Sequence, residues 1–317
     1  MTRVAILDDY QNAALTAADW HSLHDTKVTV FTEYMDNEDT VAEALQPFDV
    51  IVGMRERTPF PKSLIDRLPN LKLLITTGML NRSFDMDAAR ARGITVCGTR
   101  MPGVSAYELA WAIIMALSKK LVEENRAMHE GRWQEGIGFE LKGKTLGILG
   151  LGNRGIEMAR LGNAFGMKVI AWSQNLTDER ATEHGATRVD KDDLFRQSDI
   201  LTIQLVLGDR TRGIVGVREL GLMKPTAYLV NTSRGPIVDE KALIQALKEK
   251  KIAGAGLDVY DVEPLPADHP LRGLDNALLT GHTGYVVEEL FTVTYGDAVE
   301  NIQGWLDGKP VRVLNDK

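Results

Sequence analysis

The stretch Thr145-Leu146-Gly147-Ile148-Leu149-Gly150-Leu151-Gly152-Asn153-Arg154-Gly155 joins a short apolar run to glycines in G-x-G-x-x-G spacing, and a helical pattern follows it. In that context each glycine has its own task. Gly150 permits a tight turn, Gly152 lets the backbone approach a pyrophosphate, and Gly155 lets helix and strand pack closely. The helix N-terminus then presents unpaired N–H groups and a positive dipole end to anionic charge. A strand before and a helix after favour a dinucleotide fingerprint over glycines that merely turn the chain. Asn153 and Arg154, inside the loop, belong to the same candidate cofactor site.

Outward from the fingerprint, short runs of Val, Ile and Leu recur between helical patterns, as buried parallel strands do when they alternate with helices. Strands are expected at 4–8, 50–54, 71–76, 94–97, 145–149, 168–172, 200–205, 227–231, 254–259 and 277–280. Helices are expected at 85–92, which Asp85 caps and Gly93 closes, and at 154–165, 239–250 and 286–305. Residues 105–133 form the longest continuous helical pattern and make a natural spacer, followed by a glycine-rich loop at 136–144. Strands 4–97 and 145–280 each resemble one doubly wound unit, and the two differ in their glycines. A chain of 317 residues exceeds what one core supports. The fold class expected is therefore α/β, two doubly wound Rossmann-like domains with a cleft between them.

Thirty-seven basic against 44 acidic residues leave a net charge of −7, with no run of Lys or Arg, which disfavours a nucleic-acid partner. The single cysteine, Cys97, lies in an apolar run and reads as a buried filler, compatible with a reducing cytosol. Met1–Asp9 runs straight into a strand without a secretory pattern, and the longest apolar block, 109–117, is about half a bilayer-crossing helix. A cytoplasmic protein without membrane or metal partners is expected.

An NAD site usually has an acidic residue about 20 residues beyond the glycines, at the end of the next strand, to hold the ribose 2′-OH. Here Trp172 is followed by Ser173-Gln174-Asn175, with no carboxylate before Asp178. Two readings stand side by side. Ser173, Asn175 and Arg154 hydrogen-bond to a 2′-phosphate and NADP is preferred, or an uncharged Ser173 tolerates NAD and NADP alike.

Three polar residues then follow successive strands, where open α/β sheets place ligands. They are Arg234 in Asn231-Thr232-Ser233-Arg234-Gly235-Pro236, Glu263 in Asp258-Val259-Tyr260-Asp261-Val262-Glu263-Pro264, and His282 in Thr280-Gly281-His282-Thr283-Gly284. Together with the glycine loop these motifs resemble the D-isomer-specific 2-hydroxyacid dehydrogenases, over nearly the whole chain. The resemblance implies hydride transfer between NAD(P)H and C2 of a small 2-oxo or 2-hydroxy acid, of the glyoxylate or hydroxypyruvate type. Arg234 would hold the substrate carboxylate through its planar fork of donors. His282 would be the general acid in reduction and general base in oxidation, oriented by Glu263. Thr232, Asp258 and Tyr285 would lie near the nicotinamide and its ribose. Residues 1–103 with 284–317 would form the substrate domain, and 104–283 the dinucleotide-binding domain. Arg55 and Arg57 would then sit at a strand end facing the cleft, where one assists an acidic substrate or both form a solvated cluster.

The substrate loop departs from the family pattern. In Thr77-Gly78-Met79-Leu80-Asn81, Gly78 is retained, while Met79 and Leu80 add bulk where small residues are common. Gln204 and Val206 likewise replace a histidine and proline usual near the adenine. The apolar face of the long helix, with Trp111 and Met115, corresponds to a region that packs on a second subunit in relatives, so a homodimer is expected. An NAD(P)-sensing corepressor-like protein on the same fold is the alternative function. The glutamate at 263 speaks against a formate dehydrogenase, which pairs its histidine with glutamine.

Overall fold

A computed structural model describes residues 1–101 and 106–316. Met1–Gly103 with Val286–Lys317 form one compact unit, and Val104–Tyr285 the other.

The first unit is built on five parallel strands, β1 (Thr2–Ile6), β2 (Thr26–Val30), β3 (Val50–Gly53), β4 (Leu73–Thr76) and β5 (Thr95–Cys97), in the order β2-β1-β3-β4-β5. β3 and β4 are buried throughout, as strands covered on both faces must be. Ile51 of β3 and Leu74 of β4 join Leu45, Phe60, Leu64 and Leu68 in the core. β2 is absent from the sequence-based expectation. It lies at the sheet edge, and in Thr26-Lys27-Val28-Thr29-Val30 no residue is fully buried, so no apolar run marks it. β1 stops at Ile6 rather than residue 8, and Asp8 then takes a left-handed backbone (φ 58°).

The helix Glu288–Leu306 returns to this unit through a polar contact. Asp297, buried, accepts hydrogen bonds from the backbone N–H and guanidinium of Arg100, and Asn301 Nδ2 donates to Gly98 O. Burial works against the Asp297 charge, but the bonds from Arg100 outweigh it and hold the carboxyl below its ordinary pKa. Cys97 is fully buried, and burial pushes its thiol up to about 11, the behaviour of packing rather than of a nucleophile.

The second unit carries seven parallel strands, β6 (Thr145–Leu149), β7 (Lys168–Trp172), β8 (Thr187–Arg188), β9 (Ile200–Ile203), β10 (Tyr228–Asn231), β11 (Gly254–Leu257) and β12 (Ala277–Leu279). Their order is β12-β11-β10-β9-β6-β7-β8, so strand order reverses between β6 and β9. β8, two exposed residues at the edge, has no sequence signal either. The helical pattern expected at 105–133 is two helices, Ala106–Lys119 and Leu121–His129, because Lys120 between them takes a left-handed conformation (φ 54°). Ser105 lies outside the described residues. Among the described residues the longest helix is instead Glu288–Leu306. Trp111, expected on a subunit-facing stripe, is buried in its own unit and packs on Phe165 with ring centroids 5.0 Å apart. No described helix is long and apolar enough to cross a membrane.

Candidate active site

The glycine loop leaves β6 through Gly150 at φ +108°, a conformation open to glycine and strained for other residues. A Cβ at Gly155 would lie 2.1 Å from the Gly150 carbonyl oxygen, so the helix Asn153–Ala164 can begin this close to the turn only without one. At Gly152, the N-cap, a Cβ would meet no atom within 4 Å; the backbone there faces open space. The loop therefore fits a pyrophosphate approaching backbone N–H groups at the switch point of the sheet. Asn153 and Arg154 are the first residues of that helix, and Arg154 is exposed.

Ser173, expected to meet the ribose, has a further part. Its Oγ accepts a hydrogen bond from Leu151 N at 2.9 Å, tying the end of β7 to the glycine loop. A cavity of about 370 Å³ opens here, lined by the ends of β6 and β7 and by the segment after β9. Gln204 turns away, donating to Thr202 Oγ1, while Val206 lines the cavity.

The three strand-end residues come together because two backbones touch. A Cβ at Gly235 would lie 2.1 Å from the Tyr260 carbonyl, so the segment after β10 can lie against the segment after β11 only with glycine there. Asn231 fixes the first segment, accepting from Ser233 N and donating to Arg234 O, and Arg234 Nη1 donates to Ser233 O at 2.7 Å. Among the described residues one donor of the guanidinium is thus used, and the others remain for a planar anion.

In the second segment Glu263 Oε1 accepts from Tyr260 N at 2.9 Å, and Oε2 lies 2.5 Å from His282 Nδ1. Burial disfavours a charged Glu263, but the hydrogen bond and charge of His282, the Tyr260 N–H and the Arg234 charge outweigh it. Its pKa sits below the ordinary carboxylate value. His282 has a left-handed backbone (φ 53°), and its ring meets Tyr285 edge to face at 5.5 Å.

Asp258, fully buried, holds the histidine loop. Oδ1 accepts from Thr280 Oγ1 at 2.6 Å and from Thr283 N at 2.8 Å, and Oδ2 accepts from Gly284 N at 3.0 Å. Tyr260 does similar work that sequence reading missed, although it stands inside the quoted motif. Its hydroxyl meets the Leu257 and Thr280 carbonyl oxygens, joining the two strand ends, and burial with the Asp258 and Glu263 charges raises its pKa. Thr232 Oγ1 is buried without a hydrogen-bond partner among the described residues, the kind of polar atom a bound cofactor would satisfy.

The residues expected to meet substrate in the first unit form a separate cluster. Arg55 packs over Gly78, where a Cβ would approach its Nη1 to 2.5 Å, and it donates to Met101 Sδ at 2.8 Å. Met79 and Leu80 are exposed. Arg57 is tied back to the end of β1, donating to Asp8 O at 3.1 Å and lying 4.5 Å over the Tyr10 ring, so it is no loose surface charge. Asn81, unsuspected from sequence, is buried and donates to Arg55 O and Thr76 Oγ1, pinning one loop to the other. Among the described residues no His, Cys, Asp and Glu cluster is arranged to hold a metal.

Residues 111–284 match the family described as D-isomer specific 2-hydroxyacid dehydrogenase, NAD binding domain. A glyoxylate reductase from Aeropyrum pernix is 40% identical over 265 residues, 80% of this chain and 78% of that protein. A second, from Thermococcus litoralis, is 39% identical over 240 residues, 72% of each chain. Among solved structures, a phosphoglycerate oxidoreductase from Vibrio cholerae superimposes with a TM-score of 0.92 at 37% identity, over 97% of this chain and all of the other.

Proposed function

The chain belongs to the D-isomer-specific 2-hydroxyacid dehydrogenases, oxidoreductases that act on CH–OH groups with a nicotinamide cofactor, and on that premise we propose that it reduces a short 2-oxo acid of the glyoxylate or hydroxypyruvate type. The observation that carries this reading is the 2.5 Å contact between Glu263 and His282, with the Arg234 charge acting on the same carboxylate. The corepressor-like alternative is not favoured, since the relatives are glyoxylate and hydroxypyruvate reductases and phosphoglycerate dehydrogenases.

Arg234 receives the substrate carboxylate through its uncommitted donors and draws electron density from the neighbouring carbonyl. The bound nicotinamide supplies the hydride. Because Nδ1 of His282 faces Glu263, Nε2 is the nitrogen that delivers a proton to the oxygen developing negative charge at C2. In oxidation the same nitrogen takes the proton back. Glu263 orients the ring through its contact with Nδ1, Asp258 and Tyr260 hold the loop, and Thr232 and Tyr285 serve the cofactor. In the first unit, Gly78, Met79 and Leu80 with Arg55 are assigned to substrate binding, and Arg57 to holding that surface in shape. Substrate binding is assigned to the first unit and dinucleotide binding to the second.

The cofactor site accepts NADPH at least as well as NADH, because no carboxylate lines the cavity beside Ser173. A homodimer is supported by Leu121, Val122, Met128, Trp133 and Ile137, exposed within one stretch, the last two at 72% and 92%. The lone buried Cys97 suits a cytoplasmic setting.

The test is consumption of NADH and of NADPH with a panel of 2-oxo acids. Glyoxylate or hydroxypyruvate should be reduced, and failure of every acid with both cofactors would refute the assignment.

A further inference from the structure

We infer that Arg180 and Arg210 form a clamp for the 2′-phosphate of an NADP-type cofactor, and that this pair, rather than Ser173, sets cofactor choice. The inference rests on the nucleotide site proposed above and names the groups that discriminate within it.

Both arginines line the 370 Å³ cavity at the ends of β6 and β7, in company with Ser173, Gln174 and Asn175. They reach it from different segments, Arg180 from the short helix Asp178–Glu183 and Arg210 from the turn after β9. Among the described residues neither guanidinium is engaged in an ion pair or side-chain hydrogen bond. Other charges nearby are diverted. Asp178, the first carboxylate after β7, lies 3.5 Å from Arg188, and Arg212 acts on Asp261. Among the described residues no Asp or Glu lines the cavity, so two cations stand there without a negative counterpart.

An adenosine with only a ribose hydroxyl leaves that charge unanswered, whereas a phosphate answers it with several acceptor oxygens. The planar fork of arginine suits phosphate geometry. Ser173 is already committed through its oxygen to Leu151 N, which leaves only its O–H to donate. Val206 and Ile214 supply an apolar wall in the same cavity, suited to an adenine ring.

Calorimetry with adenosine 2′,5′-bisphosphate and adenosine 5′-monophosphate tests the clamp without turnover, at one fixed salt concentration. The parent should bind the bisphosphate at least about tenfold more tightly, and Arg180→Ala and Arg210→Ala should each reduce that preference by roughly tenfold. Affinity for the monophosphate, which also reports that the variants are folded, should stay within about twofold. Arg→Lys at either position should keep part of the preference, since charge remains but the fork is lost. An unchanged preference in the double alanine variant would overturn the clamp while leaving NADPH use standing. A parent that does not distinguish the two nucleotides would overturn the clamp, and one that binds the bisphosphate more weakly than the monophosphate would overturn the cofactor reading as well.

Discussion

Each unit has a parallel sheet whose strand order reverses, at β1/β3 in the first and β6/β9 in the second, and open α/β sheets bind ligands outside such points. The second unit leaves its switch point open. Gly150 and Gly152 contribute no side chains, and the cavity beside them is bordered by cations and amides. The first unit fills the equivalent place with its own residues. Asp8 accepts from Thr58 Oγ1 at 2.8 Å, and Arg57 bonds to Asp8 O and covers Tyr10. The same topology thus makes a cradle in one case and a closed polar junction in the other, and what decides is the residue type at the strand ends.

The carboxylates at these two places shift in opposite directions. Burial raises the Asp8 pKa despite the hydrogen bond from Thr58 and the Arg57 charge, whereas interactions with His282, Tyr260 and Arg234 overcome burial at Glu263 and lower it. Asp8 therefore contributes stability below its unfolded pKa that is lost as pH rises through its folded value. Glu263 contributes stability above its unfolded pKa that is lost as pH falls through its folded value.

If this contrast is right, changes in the second unit should damage chemistry or binding, and those at the first switch point should damage folding. The largest effect is expected for His282→Ala, a loss of roughly 10²–10⁴-fold in reduction rate with cofactor affinity near the parent value. A parallel fall in cofactor binding, measured by calorimetry, would contradict the proton-donor role. Next is Arg234→Lys, which should weaken substrate binding by about tenfold or more through loss of the bidentate fork, without a matching change for the cofactor. Steady-state KM and cofactor Kd decide between this and a general collapse of the site.

Asp8→Ala should cost about 1–3 kcal/mol in denaturant unfolding, since it strips a buried hydroxyl of its partner, yet leave cofactor affinity intact. Asp8→Asn sharpens the point: relative to this variant the parent should lose Tm as pH rises from acid to neutral. A flat difference would show that the buried charge is not what Asp8 contributes. Relative to Glu263→Gln, the parent should lose Tm as pH falls through the acid range, because the folded Glu263 carboxyl is held below its ordinary pKa. A Tm difference that does not change with pH would show that the charge of Glu263 is not what its partners stabilise. The smallest change expected is at Ser173→Asp, a shift in the kcat/KM ratio toward NADH from like-charge repulsion of the 2′-phosphate. A ratio that does not move would remove position 173 from the site.

The sequence by itself determined the features whose signals are local. Apolar runs marked the buried strands because a strand covered on both faces must be apolar along its length, and G-x-G-x-x-G followed by a helix marked the cradle because one turn of chain contains the whole device. The same local character brought out Arg234, Glu263 and His282, each just beyond a legible strand. β2 and β8 escaped because edge strands are only partly buried, and the break at Lys120 escaped because a lysine does not announce a left-handed residue as glycine would. Only the tertiary structure decided that Gly235 lets two strand ends touch, that Asp258 braces the histidine loop, and that Arg180 and Arg210 face one cavity. Each of these depends on distances between segments far apart in the chain, set by sheet order and close packing, and no spacing within a segment encodes them.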